Sequence, residues 1–142
     1  MINLFYEISN FSITNRSLFI QTIYLILRNE GKEVGNINYI FCNDHYLLNL
    51  NKKYLQKDYY TDVIAFAYSS TTHPSNKNRI SGDVFISIDR VLENSQQWNQ
   101  LFQVELKRVM IHAILHFLGY EDRINEKFMK KKEEFYLILF QF

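Results

Sequence analysis

The sequence predicts an α+β domain, and three observations carry the prediction. The chain has 142 residues, which suits one ordinary domain spanning 1–142 and leaves no room for two. Its hydrophobic fraction of 47% against 22% charged lets it bury a core unaided, and a lone Cys42 excludes an internal disulfide. Segments of strand character are interspersed with segments of helical period, without strict strand–helix–strand alternation.

The elements follow in order. Residues 2–8 are apolar and aromatic and read as a strand. Thr14 and Asn15 offer caps for a helix over 17–29, and Gly31 suits the left-handed residue after its end. Residues 36–42 open with polar–apolar alternation and are rich in β-branched and aromatic side chains, hence a second strand. Asn43 or Asp44 caps the next helix, whose Tyr46, Leu47, Leu50 and Tyr54 recur at helical spacing. Residues 63–68 form a third strand, and the Ser/Thr/Asn cluster around Pro74, over 69–81, reads as a loop. Gly82 and Asp83 open a fourth strand through Ile88, and Asp89 caps a short helix to about residue 96. A longer helix runs from about 99 to 118, Gly119 ends it, and a last helix covers about 124–137. The run Lys130-Lys131-Lys132-Glu133-Glu134 reads as a solvated helix face. Most of the 12 Phe and 10 Tyr are expected in the core, while any Tyr left exposed could stack on unpaired bases.

Net charge narrows the function classes. At +1 the chain lacks the basic signature of a protein that coats nucleic acid. Locally the balance differs. Between residues 45 and 81, Lys52, Lys53, Lys57, Lys77 and Arg79 face only Asp58 and Asp62. The apolar run 18–27 is interrupted by Gln21 and Thr22 and falls short of the roughly 18 residues that a membrane span needs. The first residues carry no basic segment or small-residue cleavage site, so a cytoplasmic protein without a membrane partner is expected.

The segment that carries chemistry is His112-Ala113-Ile114-Leu115-His116-Phe117-Leu118-Gly119-Tyr120-Glu121-Asp122. On a helix, His112 and His116 project from one face, one turn apart, so they can share a metal. Gly119 lets the chain turn, and Asp122 can return over the same ion as a third ligand. Two imidazoles and one carboxylate leave a coordination position open, the layout of a catalytic zinc centre rather than a closed structural one. Position 113 is Ala, so the helix-borne glutamate of H-E-x-x-H metalloproteases is absent, which disfavours a peptidase. The bland alternative is one buried, hydrogen-bonded imidazole and one surface imidazole.

This segment resembles the metal signature of the YbeY-type endoribonucleases, bacterial rRNA maturation factors. The resemblance extends to Leu50-Asn51, Lys57-Asp58, Thr61-Asp62-Val63-Ile64-Ala65-Phe66 and Gly82-Asp83-Val84-Phe85-Ile86-Ser87-Ile88-Asp89, in the same order and spacing. It implies a four-stranded mixed sheet flanked by helices, with a zincin-like ligand helix. It also implies one zinc per chain and cleavage of single-stranded rRNA, in 16S 3′-end maturation and ribosome quality control. The ribosome or small-subunit proteins would be partners. His112 and His116 match the first two metal ligands, and Asp122 stands where the family usually has a third His. An anionic ligand should make a bound water less acidic. The expected pH–rate profile therefore peaks at higher pH than that of a three-His relative, and an equal or lower optimum would refute this. Leu55 stands where the family usually has Arg, so Lys57, Lys53 or Arg79 are the candidate substrate-binding cations, with Lys57 also a catalytic candidate. Glu121 is a candidate proton shuttle or, alternatively, a solvated turn acid. Asp62 and Asp83 either order the ligand helix and loops or cap strand ends. The missing guanidinium supports a second reading, a non-catalytic ribosome-assembly factor with a structural metal.

Overall fold

A computed structural model describes residues 1–68, 78–120 and 122–139, the side chains of 122–125 excepted. The elements are β1 (Ile2–Tyr6), α1 (Arg16–Asn29), β2 (Glu33–Cys42), α2 (Asp44–Leu55), β3 (Val63–Ala67), β4 (Arg79–Ser87), α3 (Ile88–Gln97), α4 (Phe102–Phe117) and α5 (Asp122–Leu139). The strands form one mixed sheet in the order β1-β2-β4-β3. β1, β2 and β4 run parallel, and β3 pairs antiparallel with β4 at the edge. The α+β expectation holds. Among the described residues no helix is long and apolar enough to cross a membrane.

Local chemistry accounts for most boundaries. The Asn15 side chain accepts from the Leu18 N–H at 3.2 Å, and that of Asn43 accepts from Tyr46 N–H at 2.8 Å, so Asn rather than Thr14 or Asp44 caps each helix. Three expectations are corrected. β2 begins at Glu33, not residue 36, and β4 at Arg79, not Gly82, because Glu33 pairs with Arg79 and Val34 with Ile80 across the sheet. These polar ends carry little strand signal alone and are ordered by each other. The expected loop therefore gives up Arg79 to Ser81 to a strand, while 69–77, with His73 and Lys77, lie outside the described residues. The α3 cap is Ser87, whose Oγ accepts from Arg90 N–H at 3.2 Å. Asp89 lies inside the helix and accepts from the Asp44 N–H at 3.0 Å.

Strand alternation sorts two cores. On one face Ile37, Tyr39, Phe41, Val84 and Ile86 pack with Phe19 and Ile23 of α1, Val109, Met110 and Ile114 of α4, and Met129 and Tyr136 of α5. On the other, Cys42 and Ile64 pack under Leu47 of α2, with Phe66 and Phe85. Cys42 is a core residue: burial first, then Asp44, Asp89 and Glu7, push its thiol up to about 12, so it stays protonated and unreactive. Asp83 joins a polar ladder across the sheet, accepting from Asn38 Nδ2 at 3.0 Å and from the Tyr68 hydroxyl.

Gly82 connects the fold to the His helix. A Cβ at this position would stand 2.4 Å from the Phe66 carbonyl oxygen and 2.7 Å from the Phe117 ring. Only glycine lets β3, β4 and the end of α4 approach so closely. Gly82→Ala is expected to destabilise by about 1–3 kcal/mol, as overpacking does. Chemical denaturation checks this, and an unchanged midpoint would show that the strands give way freely.

Candidate metal centre

The site forms where α4 passes the edge strand. α4 is buried nearly all round, through Leu106, Val109, Met110, Ile111, Ala113, Ile114 and Leu115, and this fixes the direction of its histidines. His112 is half-buried and His116 exposed. Their Nε2 atoms face one another at 3.1 Å, with ring centroids 4.7 Å apart. Two nitrogens bound to one tetrahedral zinc stand about 3.3 Å apart, given ligand distances of about 2.0–2.1 Å. The two imidazoles therefore fit a shared divalent ion.

The helix then stops in a Schellman turn. Gly119 has φ +95°, its N–H donates to the His116 carbonyl at 3.0 Å, and Tyr120 N–H donates to the Leu115 carbonyl at 3.1 Å. The chain re-enters helix at Asp122, the first residue of α5. The Asp122 side chain and the whole of Glu121 lie outside the described residues. Among the described residues no group of three His, Cys, Asp or Glu converges to hold a metal.

Behind His112 lies a network the sequence did not announce. Glu133 is only 6% exposed and its carboxylate bonds His112 Nδ1. The reading of 130–134 as a solvated face holds for Lys130, Lys131 and Glu134, which are exposed, and is corrected for the other two: Glu133 points into the molecule, and Lys132 donates to Glu30 at 3.0 Å. With Nδ1–H donating to Glu133, the Nε2 lone pair of His112 is left facing His116, the tautomer that a metal requires. One turn earlier, Arg108 is bonded to Glu105, donates to Asp62 at 3.4 Å and lies 3.9 Å from Glu133. Burial alone would lower its pKa; Glu105, Asp62 and Glu133 outweigh that and hold the guanidinium charged. Three carboxylates against one guanidinium leave the His112 side electronegative, the sign that favours a cation. Asp62 is thus tied to α4 through Arg108 at 3.4 Å, the contact that the first of its two expected roles would need.

A second network holds the turn. Glu30 accepts from Tyr120 at 2.8 Å and from Tyr136 at 2.7 Å. Burial would raise the Glu30 pKa, but the hydrogen bonds from Tyr136, Tyr120 and Lys132 hold it below the ordinary 4.5. A carboxyl depressed in the folded state stabilises above its unfolded value, and that contribution is lost as pH falls through the folded one. Stability is therefore expected to drop more steeply below pH 4.5 in the wild type than in Glu30→Gln. Parallel acid-melting curves would contradict this.

In front of the histidines lies a cleft of about 410 Å³, within the usual range for ligand sites. Its walls include Lys57, Asp62, His112, His116 and Phe117, and Leu55 at the end of α2. Lys53 and Arg79 are not among its lining residues. Lys53 lies over the Tyr54 ring at 5.2 Å, and Arg79 pairs with Glu33 at 3.6 Å. His45, exposed on α2, contacts Asn49. The tyrosines depart from expectation: Tyr6, Tyr24, Tyr46, Tyr54, Tyr59, Tyr60 and Tyr68 are exposed, whereas among the phenylalanines only Phe5, Phe128 and Phe135 of the described residues are.

The profile of the family described as endoribonuclease YbeY matches residues 6–141. The chain belongs to the YbeY family. It is accordingly an enzyme, a nuclease of the hydrolase class. A YbeY endoribonuclease of Karelsulcia muelleri is 48% identical over 139 residues, covering 96% of this chain and 94% of the relative. One of Flavobacterium psychrophilum is 44% identical over 142 residues, covering 99% and 96%. A solution structure of a Thermotoga maritima protein superposes with a TM-score of 0.64 at 25% identity, covering 96% of this chain and 87% of that one.

Proposed function

We propose that this YbeY-family chain, acting as one catalytic domain, is a zinc-dependent endoribonuclease that cuts single-stranded RNA. Its substrate would be 16S rRNA near the 3′ end, and its setting ribosome maturation and quality control in the cytoplasm. The observation that carries the reading is the pair of facing Nε2 atoms at 3.1 Å, with His112 held from behind by Glu133, at the wall of a cleft that also holds Lys57.

His112 and His116 would hold the ion, with Asp122 as the third ligand. When bound, zinc supplies Lewis acidity to the phosphodiester. Glu133 fixes the His112 tautomer, and Arg108 keeps Glu133 in place. Lys57 offers its ammonium to a backbone phosphate, the part that a point charge can play where Leu55 cannot.

The test is zinc stoichiometry by elemental analysis, followed by cleavage of a single-stranded rRNA fragment and its duplex, with and without chelator. One zinc per chain and chelator-sensitive cutting of the single strand are expected. One zinc with tight rRNA binding but no cutting would assign the assembly-factor reading that Leu55 favours. No bound transition metal would overturn both.

A further inference from the structure

A strand entering the cleft meets aromatic and apolar surface beside its charge. Among the described residues that line it, Tyr59 is the one tyrosine and Lys57 the one Lys or Arg, and Leu55 is 42% exposed at the same wall. The segment that presents them is held rigidly. Gln56 adopts a left-handed conformation with φ +55°, turning the chain off the end of α2. Asn51, only 1% exposed, then clasps the segment twice: its carbonyl accepts from the Lys57 N–H at 3.1 Å, and its Nδ2 donates to the Tyr59 carbonyl at 2.9 Å. The backbone on both sides of Asp58 is thus fixed while the Tyr59 side chain remains 55% exposed. The Lys57 ammonium stands over the Tyr59 ring at 6.0 Å, farther off than the cation that covers Tyr60. Tyr60 lies under the Arg90 guanidinium at 4.9 Å, and Tyr54 packs edge-on against Phe66 at 5.8 Å.

We propose that Tyr59 is a nucleobase-stacking subsite, with Leu55 as apolar wall and Lys57 as phosphate contact, and that it makes the cleft selective for an unpaired strand. The proposal rests on the RNA reading above and deepens it. The chemistry is that of a nucleotide: a flat π-surface for the base and an ammonium 6.0 Å from the ring centroid for its phosphate. Every base has a π-face, so such a platform tolerates sequence. In a duplex those faces are already stacked on each other, so the platform offers nothing to paired RNA. Holding the backbone through a buried Asn rather than through the ring leaves the ring preorganised and accessible.

The experiment uses a single-stranded oligoribonucleotide carrying 2-aminopurine, its duplex, and the zinc-loaded protein as wild type, Tyr59→Leu and Tyr59→Phe. Stacking quenches the probe in the initial binding phase, and anisotropy gives affinity. Tyr59→Leu is expected to bind the single strand about tenfold more weakly with the quench lost, while Tyr59→Phe stays within about twofold of wild type. Duplex binding should be the same for all three. Equal single-strand affinity and quench in Tyr59→Leu and wild type would overturn the subsite and leave the RNA reading standing. So would equal losses in Phe and Leu, which would place the contact in the hydroxyl. A wild type that neither binds nor cuts the single strand would overturn the RNA reading and the subsite with it.

Discussion

His116→Ala is expected to lose zinc and cleavage together while leaving the fold intact. The two halves of this expectation come from different facts. His116 is exposed on the last turn of α4, and Ala is the best helix former, so stability should change by no more than about 0.5 kcal/mol. The ring nevertheless supplies one of the two nitrogens that face each other at 3.1 Å. Groups that merely orient a ligand are worth about 10–100-fold in metal affinity. A direct ligand should exceed that range, so zinc affinity should fall by more than about a hundredfold, the variant should lose most of its zinc on dialysis, and cleavage should fall in proportion to the zinc lost. Elemental analysis, thermal melting and an rRNA cleavage assay on the same preparation check all three. Full zinc occupancy in the variant would remove His116 from the centre.

Glu133→Gln is expected to weaken zinc binding by about 10–100-fold without touching the cleft. The carboxylate bonds His112 Nδ1 from α5, on the side away from His116. A carboxylate only accepts, so it admits one tautomer of His112, the one whose Nε2 carries a lone pair. An amide both donates and accepts. It allows the other tautomer, in which Nε2–H points at the metal position. The substitution removes one of the three negative charges around Arg108, but Glu105 and Asp62 still pair with the guanidinium, so folding stability should fall by less than the loss of a lone partner of a buried charge would cost. Competition with a calibrated chelator measures the first quantity, and denaturation of the metal-free protein the second. Unchanged zinc affinity would reduce Glu133 to a packing residue. A loss of stability with no loss of affinity per folded molecule would do the same.

The two variants sit on opposite sides of what a sequence reveals. His112 and His116 were legible because helical geometry turns a spacing of four into a shared face. Gly119 was legible because a left-handed residue after a helix favours glycine, and its φ of +95° bears that out. Strand and helix periods located every element to within a few residues. The largest misses, three residues each, were the starts of β2 and β4, where Glu33 and Arg79 belong to strands only by pairing with each other, and the start of α4, which begins at Phe102 rather than about 99 because Asn99 turns left-handed with φ +53°. Ser87 outcompeted Asp89 as the α3 cap because it stands one residue before the helix, a boundary that composition alone blurs.

Glu133 was not legible. It lies 21 residues from His112 in a run of lysines and glutamates, and such a run looks the same on a solvated face as on one that buries a single carboxylate. Which residue of the run turns inward depends on the rotation of α5 against α4. That rotation is set by the packing of Met129 and Tyr136 into the shared core. The same holds for Glu30, brought to Tyr120 across 90 residues, and for Arg108, brought to Asp62 across 46. The exposed tyrosines are a further case. An aromatic side chain suits a core and a binding surface equally, and only the fold shows that Tyr59 lines the cleft while Tyr39 is fully buried.

By itself, then, the sequence determined the elements, the helix bearing two histidines, the turn that follows it, and the family to which the chain belongs. These are local matters: period, capping and spacing act over a few residues, and a motif preserves them. The tertiary structure decided which carboxylate stands behind His112, which tyrosine reaches the cleft, and that Lys57 rather than Lys53 or Arg79 lines it. Those outcomes turn on how helices rotate and where loops are clasped once the core closes, and no short-range rule records them.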